Sequence, residues 1–476
     1  MGSSTITSVG IDIGTSTTSM VVSKLAIANT ASSFTAPHVA ITGSQIVYRS
    51  DIYQTPQASG NRIDIEAVSA LIKREYERAG IIPKDVQTGA VIITGESSRK
   101  ENAELVTEHM SELAGEFVVA SAGPDLESII AAKGAGAQDW SRENACVVAN
   151  IDVGGGTSNI AVFDCGDLVA RSCWDIGGRL LRVDEQGMVV YLSPRMEIVA
   201  RELDIDLSVG TTPSVAQIRR VTDRMADLLA EALGFMPRTP LCDAVRTETA
   251  SDLSLARPVD CIMFSGGVAD CVYNPHTDWF RYGDIGPILA ASIREGAVSH
   301  TARLIKSRET IRATVVGAGS YTTTVSGSTI SYSNDDLFPM KNLPAFFASP
   351  EAERAALEGN GEPIAKEASW YLGESASRNI VFCFNDVLRP SYSTVCKLAE
   401  SLVRAADSIP KDEPLIVLVE DDFAKVLGQG IRRRMKDRPL ICLDSIQAIQ
   451  GDYLDLGRPL MGGLAIPVVV KTLVFG

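Results

Sequence analysis

Two aspartates, Asp12 and Asp152, stand 140 residues apart in the same local pattern. Asp12, Gly14 and Thr17 recur as Asp152, Gly154 and Thr157, in the same order and at the same spacing. In VGIDIGTSTTSMVV and in NIDVGGGTSNIAVF an apolar run carries the aspartate to a strand end, a short glycine- and hydroxyl-rich tip follows, and a second apolar run resumes. That is a β-hairpin whose tip has almost no side chains. Such a tip lets a polyanion approach until backbone N–H groups bond its oxygens, and the carboxylate just before it holds a cation directly or through water. The chemistry is metal–nucleotide binding. One glycine triplet would mark any surface turn; two matched copies between β-branched runs point to two similar lobes, each aiming a phosphate loop into a shared cleft.

Around these hairpins the chain supplies alternating scaffold elements. Ile65, Val68, Ile72, Tyr76 and Ala79 have helical spacing, with Gly80 where a C-terminal cap belongs. AVIIT at 90–94 reads as a buried strand, and Ser98 with Glu101 has the spacing of a capping box that opens another helix. Residues 124–137 read as a short helix whose small residues allow close backbone approach at a crossing, with Asp125 and Glu127 at its mouth. A turn at 165–167, an amphipathic helix over 214–233 and the strand CIMFS at 261–265, ending in Gly266 and Gly267, continue the pattern. ATVVGAGSYTT at 313–323 reads as a strand followed by glycines. After a polar stretch at 333–344, the apolar runs IVFCF, LIVLVE, LICLD and AIPVVVKTLVF alternate with helical segments, as in a small further α/β domain.

With 476 residues and 45% hydrophobic content, the chain can bury more than one core. A net charge of −15 lacks the basic face that nucleic-acid binding needs. The first residues carry no secretory signal pattern, and no run is long enough for a membrane span, which predicts a cytoplasmic protein. Nine cysteines, scattered and never spaced C-x-x-C, predict free thiols, and the four histidines show no ligand spacing. The basic run Arg432 to Arg434 reads as a solvated helix face.

Loop one, a crossing helix, loop two, a glycine pair after a strand and a second small-residue crossing follow one another in an order that resembles the signature of the actin, sugar kinase and Hsp70 ATPase superfamily, over about residues 9–327. VVASAGPDLESIIAAKG, DVGGGTSN and DIGGR are most similar to its chaperone-type branch. TGESSRKENA, GAGSYTTTVSGSTI and IQAIQGDYLDLGRPLMGGLAIPVVVKTLVF are similar to the reactivating factors of ethanolamine ammonia-lyase, the EutA family, nearly end to end.

The resemblance implies an α/β protein with a two-lobed actin-like (ribonuclease H-like) ATPase fold and an additional C-terminal α/β domain, divided as 1–140, 141–330 and 331–476. It implies a slow, chaperone-like ATPase that uses ATP and Mg²⁺ to release damaged cobalamin from an adenosylcobalamin-dependent lyase, so that intact cofactor can bind. Asp12 and Asp152 would then lie near the metal, and Gly14, Thr15, Ser16 and Thr17 with Gly154, Gly155, Gly156 and Thr157 would hold the phosphates. Gly266 and Gly267 would face the adenosine, and Asp125, with Glu127 as the alternative, would position the hydrolytic water. Ethanolamine ammonia-lyase is the implied partner; a homodimer and an association with a bacterial microcompartment stay open. The chain departs from the pattern in having no lysine at the spacing after the first loop where some chaperone ATPases carry a phosphate contact, and no D-x-H-x-x-G corrinoid motif. A small-molecule kinase and an actin-type assembly protein are the rival activities for the same scaffold; an iron–sulfur activator is disfavoured by the scattered cysteines.

Overall fold

The computed structural model describes residues 4–14, 17–29, 39–58, 62–93, 119–120, 124–248, 250–321, 324–326, 329–374, 377–385 and 387–472. The first sheet is built from β1 (Ser4–Ile13), β2 (Thr17–Asn29), β3 (Val39–Arg49), β4 (Tyr53–Gln54), β5 (Thr88–Ile93) and β6 (Val119–Ala120). Its order is β3-β2-β1-β5-β6, with β4 on β2. β1, β2 and β3 form an antiparallel meander, while β5 and β6 add in parallel.

The second sheet contains β7 (Val147–Val153), β8 (Ser158–Asp164) and β9 (Asp167–Trp174). A separate small hairpin follows, β10 (Leu181–Val183) with β11 (Val189–Leu192), which the sequence reading did not resolve. β12 (Cys261–Ser265) and β13 (Arg303–Leu304) complete the second sheet in the order β13-β12-β7-β8-β9. Again three strands form an antiparallel meander and two add in parallel. The two lobes therefore repeat one topology, and the aspartate is the penultimate residue of the first strand in each, β1 and β7. This repeat is the actin-like, ribonuclease H-like architecture, here established by strand order.

Helix α1 (Ile65–Ala79) covers the first sheet, capped by the Asp64 side chain on the Ala67 amide and ended by Gly80 at φ 66°. α2 (Pro124–Ala135) follows the first lobe but packs its Ala132 against Val148, Ala161 and Phe163 of the second. α3 (Val215–Ala232) starts in a full capping box of Ser214 and Gln217 and buries Ile218, Val221, Met225, Leu228 and Leu229 in the second core. α4 (Gly267–Tyr273) and α5 (Gly286–Glu295) complete that side.

Residues 313–321, expected as a strand, form helix α6 (Ala313–Tyr321). Thr314, Val315 and Val316 suggest a strand locally, but tertiary packing decides otherwise. A Cβ on Gly134 would lie 1.9 Å from the Ala313 carbonyl oxygen, and one on Gly317 would lie 2.0 Å from that of Ile130. α2 and α6 thus cross backbone to backbone, and only glycine at those two places permits it. α6 then lies on β1, where a Cβ on Gly10 would meet the Val315 oxygen at 2.1 Å. Each lobe lends its last helix to the other.

The third sheet holds β14 (Thr324–Ser326), β15 (Ser331–Tyr332), β16 (Met340–Phe346), β17 (Val381–Phe384), β18 (Leu415–Val419), β19 (Leu440–Leu443), β20 (Asp452–Leu456) and β21 (Ile466–Thr472). Its order is β14-β21-β20-β16-β17-β18-β19-β15, with β16 to β19 parallel. β20 was not foreseen, because DYLDL mixes acids into the apolar alternation. Separate cores fill the two faces of this sheet. Ala465 from the last connection clusters with Ile6, Leu25 and Ile27, so the C-terminal unit is seated on the first lobe. The expected capping box at Ser98 and Glu101 lies outside the described residues. All nine cysteines are free. Among the described residues, no helix is long and apolar enough to cross a membrane.

Candidate functional site

Between the lobes lies a cavity of about 360 Å³. Its lining brings together Asp12, Gly14 and Thr17 from the first hairpin with Asp152, Gly154, Gly155, Gly156 and Thr157 from the second. Gly266, Gly267 and Glu127 join them. Thr15 and Ser16 lie outside the described residues, as does the side chain of Asp125, whose backbone is in the first turn of α2. Glu127, 8% exposed, is the acid of that helix that lines the cavity.

The two tips close alike. The Gly14 amide donates to the Thr17 carbonyl at 2.8 Å, and the Gly154 amide donates to the Thr157 carbonyl at 2.9 Å. Loop two has further supports. The amides of Gly178 and Arg179 donate to the carbonyls of Gly154 and Gly155 at 3.0 and 2.6 Å. Those carbonyls are occupied, while the amides of Gly155 and Gly156 have no protein acceptor among the described residues. A short stretch with satisfied acceptors and open donors is an anion cradle. Gly266, at φ 89°, passes so close to β7 that a Cβ would lie 2.4 Å from the Val153 oxygen.

Asp152 is 5% exposed. The Ser265 hydroxyl donates to its Oδ1 at 2.6 Å and in turn accepts from Asn150 Nδ2 at 2.9 Å. Burial pushes the Asp152 carboxyl up to about 6, and the Ser265 hydrogen bond offsets part of that rise. Asn150 Oδ1 and Asn159 Oδ1 are buried with no hydrogen-bond partner. A buried carboxyl beside orphaned acceptors is a place that a cation would relieve. Among the described residues, no cluster of three or more His, Cys, Asp or Glu is arranged to hold a metal on its own. Two carboxylates with phosphate oxygens and waters as the remaining ligands is the donor set of Mg²⁺ rather than of a protein-caged metal.

The sequence reading missed several lining residues: Ile52, Arg179, Asp270, Tyr282, Asp284, Ile311 and Thr314. Arg179 had a signal, since it ends the DIGGR motif directly after the second hairpin pair. Asp284 and Tyr282 had none, for they reach the cavity only because α5 starts there. Tyr282 is half exposed and lines the same cavity as Gly266 and Gly267.

A sequence profile described as "Ethanolamine utilisation protein EutA" matches residues 4–476. Two proteins named ethanolamine ammonia-lyase reactivase EutA, from Salmonella typhimurium strain LT2 and Escherichia coli strain K12, are each 36% identical over 482 residues, spanning 100% of this chain and 100% of each relative. A Ppx/GppA family member from Aquifex aeolicus overlaps 67% of this chain and 98% of its own at 14% identity, with a TM-score of 0.41. The fold assignment rests on the duplicated sheet and not on that overlap.

Proposed function

The chain belongs to the ethanolamine utilisation protein EutA family, and from that premise we propose that it is an ATP-using reactivase of an adenosylcobalamin-dependent ethanolamine ammonia-lyase. Asp12 and Asp152 hold Mg²⁺ largely through its waters, the loops at Gly14–Thr17 and Gly154–Thr157 hold the β- and γ-phosphates, and Gly266 and Gly267 face the adenosine. Glu127 or Asp125 positions the attacking water. Bound Mg²⁺ supplies neutralisation of phosphate charge. The single observation that carries the reading is the pair of matched hairpins lining one cavity.

The lobes, assigned to 1–140 and 141–330, close on the triphosphate and reopen after hydrolysis. Only a difference in affinity between the two states can drive that motion, and the γ-phosphate provides it. The contact of Ala465 with Ile6, Leu25 and Ile27 supports the idea that the C-terminal unit moves with the first lobe. Its grip on the lyase then changes and damaged cobalamin leaves. Turnover is slow, well below the ~10 s⁻¹ of a median enzyme.

The test mixes the protein with cyanocobalamin-inhibited ethanolamine ammonia-lyase, free adenosylcobalamin, ATP and Mg²⁺. Ammonia release is expected to recover, and to need both ATP and Mg²⁺. No recovery, or equal recovery without nucleotide, contradicts the reading.

A further inference from the structure

We propose that Arg179 reads the terminal phosphate of the bound nucleotide, and that Asp284 keeps it parked beside the cradle until that phosphate arrives. The inference rests on the nucleotide reading above and adds the residue that separates triphosphate from diphosphate.

The charge inventory of the cavity comes first. Five acids line it, Asp12, Glu127, Asp152, Asp270 and Asp284, against one basic residue among the described lining, Arg179. A polyphosphate entering such a site needs every positive charge available, and a metal at Asp12 and Asp152 serves only one part of it.

Its placement fits that role. The Arg179 amide is fixed to the Gly155 carbonyl at 2.6 Å, and its alkyl chain runs along Gly155, where a Cβ would lie 3.3 Å from Arg179 Cδ. The guanidinium therefore starts from the cradle itself. Its Nε bonds Asp284 Oδ2 at 3.2 Å, while the two Nη groups have no protein partner among the described residues. Two outward NH₂ groups form the fork that suits phosphate oxygens. Asp284 is anchored independently, because its Oδ1 accepts from the Gly286 amide at 2.9 Å at the start of α5. With its side chain 9% exposed, Asp284 is a fixed post, while the arginine, 41% exposed, can rotate about its long side chain. Rotation toward a γ-phosphate exchanges one charged partner for another, and loss of that phosphate returns the arginine to Asp284. Loop two and α5 are thereby linked to the phosphate count.

The experiment measures affinities for Mg²⁺ with β,γ-imido-ATP and for Mg²⁺ with ADP by titration calorimetry, on the full-length protein, Arg179→Gln and Asp284→Asn, with melting temperatures recorded alongside. Arg179→Gln is expected to weaken imido-ATP by roughly 10- to 100-fold, the range for a charge-assisted hydrogen bond, and ADP by less than about 3-fold. Asp284→Asn frees the arginine and raises the preference for triphosphate over diphosphate. Equal loss of both nucleotides in Arg179→Gln overturns the proposal and leaves a structural latch; a reduced triphosphate preference in Asp284→Asn also overturns it. A parental protein that binds neither nucleotide overturns the reading of the cavity itself, a result distinct from the other two.

Discussion

The two hairpins share a sequence pattern and a closing hydrogen bond, yet the protein holds them differently. Loop two sits on a fully buried strand, its Gly154 and Gly155 carbonyls bound by the turn at Gly178 and Arg179, with Gly266 pressed against Val153. Loop one is tied by a side chain: Thr55 Oγ1 donates to the Gly14 carbonyl at 2.7 Å and bonds the Thr18 hydroxyl at 3.0 Å. Asp152 is buried and Asp12 partly exposed. Across the cleft, Arg49 meets Glu309 at 2.5 Å and Arg312 donates to the Ser50 carbonyl at 2.9 Å, contacts that join β3 and its following turn to the segment entering α6. The difference teaches that the two lobes share the form of the tip but, among the described residues, support it differently: loop two by backbone bonds from a neighbouring turn, loop one by the Thr55 side chain.

The largest expected effect separates the two aspartates. Asp12→Asn and Asp152→Asn should each lower ATPase kcat/KM by about 10²–10³, the scale of losing one organised charge at a phosphoryl site. They should differ in stability, because Asp152 is a buried acid with a raised titration point while Asp12 is partly exposed. Its value near 6 lies above that of the unfolded carboxylate, so the native state keeps a proton that the unfolded chain has released. The cost is absent below about pH 4 and reaches about 3 kcal/mol by pH 7. Without Mg²⁺, Asp152→Asn should therefore gain stability over the parent as pH rises from about 4 to 7, read from urea midpoints, and Asp12→Asn should not. Mg²⁺-dependent nucleotide affinity in the parent should climb through about pH 6 as Asp152 loses its proton. A flat difference between parent and Asp152→Asn would remove the asymmetry.

Smaller effects test the supports. A Cβ on Gly177 would lie 2.4 Å from the Gly155 oxygen, so Gly177→Ala should cost about 2 kcal/mol through forced backbone movement, seen as a lower melting temperature. Gly156→Ala meets nothing within 4 Å in the protein; it should change stability by less than about 0.5 kcal/mol while weakening ATP. Thr55→Val should cost about 1 kcal/mol for the lost links to loop one, with KM for ATP raised by a few-fold.

Much of this was legible in the chain. Asp12 and Asp152, with their glycines and threonines, announced both hairpins because a tight turn at a strand end demands bare backbone, a local requirement that sequence records. The capped helices at 65–79 and 215–232 were readable for the same local reason. α6 was not, because Thr314, Val315 and Val316 favour a strand and only the crossing at Gly134 and Gly317, far apart in sequence, makes them helical. Asp284 and Tyr282 stayed invisible since nothing near them in the chain carries the pattern; the fold delivers them. Arg179 lay between these cases, marked by DIGGR but without the partner that gives it meaning.

The most direct measurement is a crystal structure of the protein with Mg²⁺ and β,γ-imido-ATP. The account predicts the phosphates lying between the Gly14–Thr17 and Gly154–Thr157 tips, with the metal and its waters facing both Asp12 and Asp152. A nucleotide bound elsewhere, or touching only one of the two tips, would contradict it.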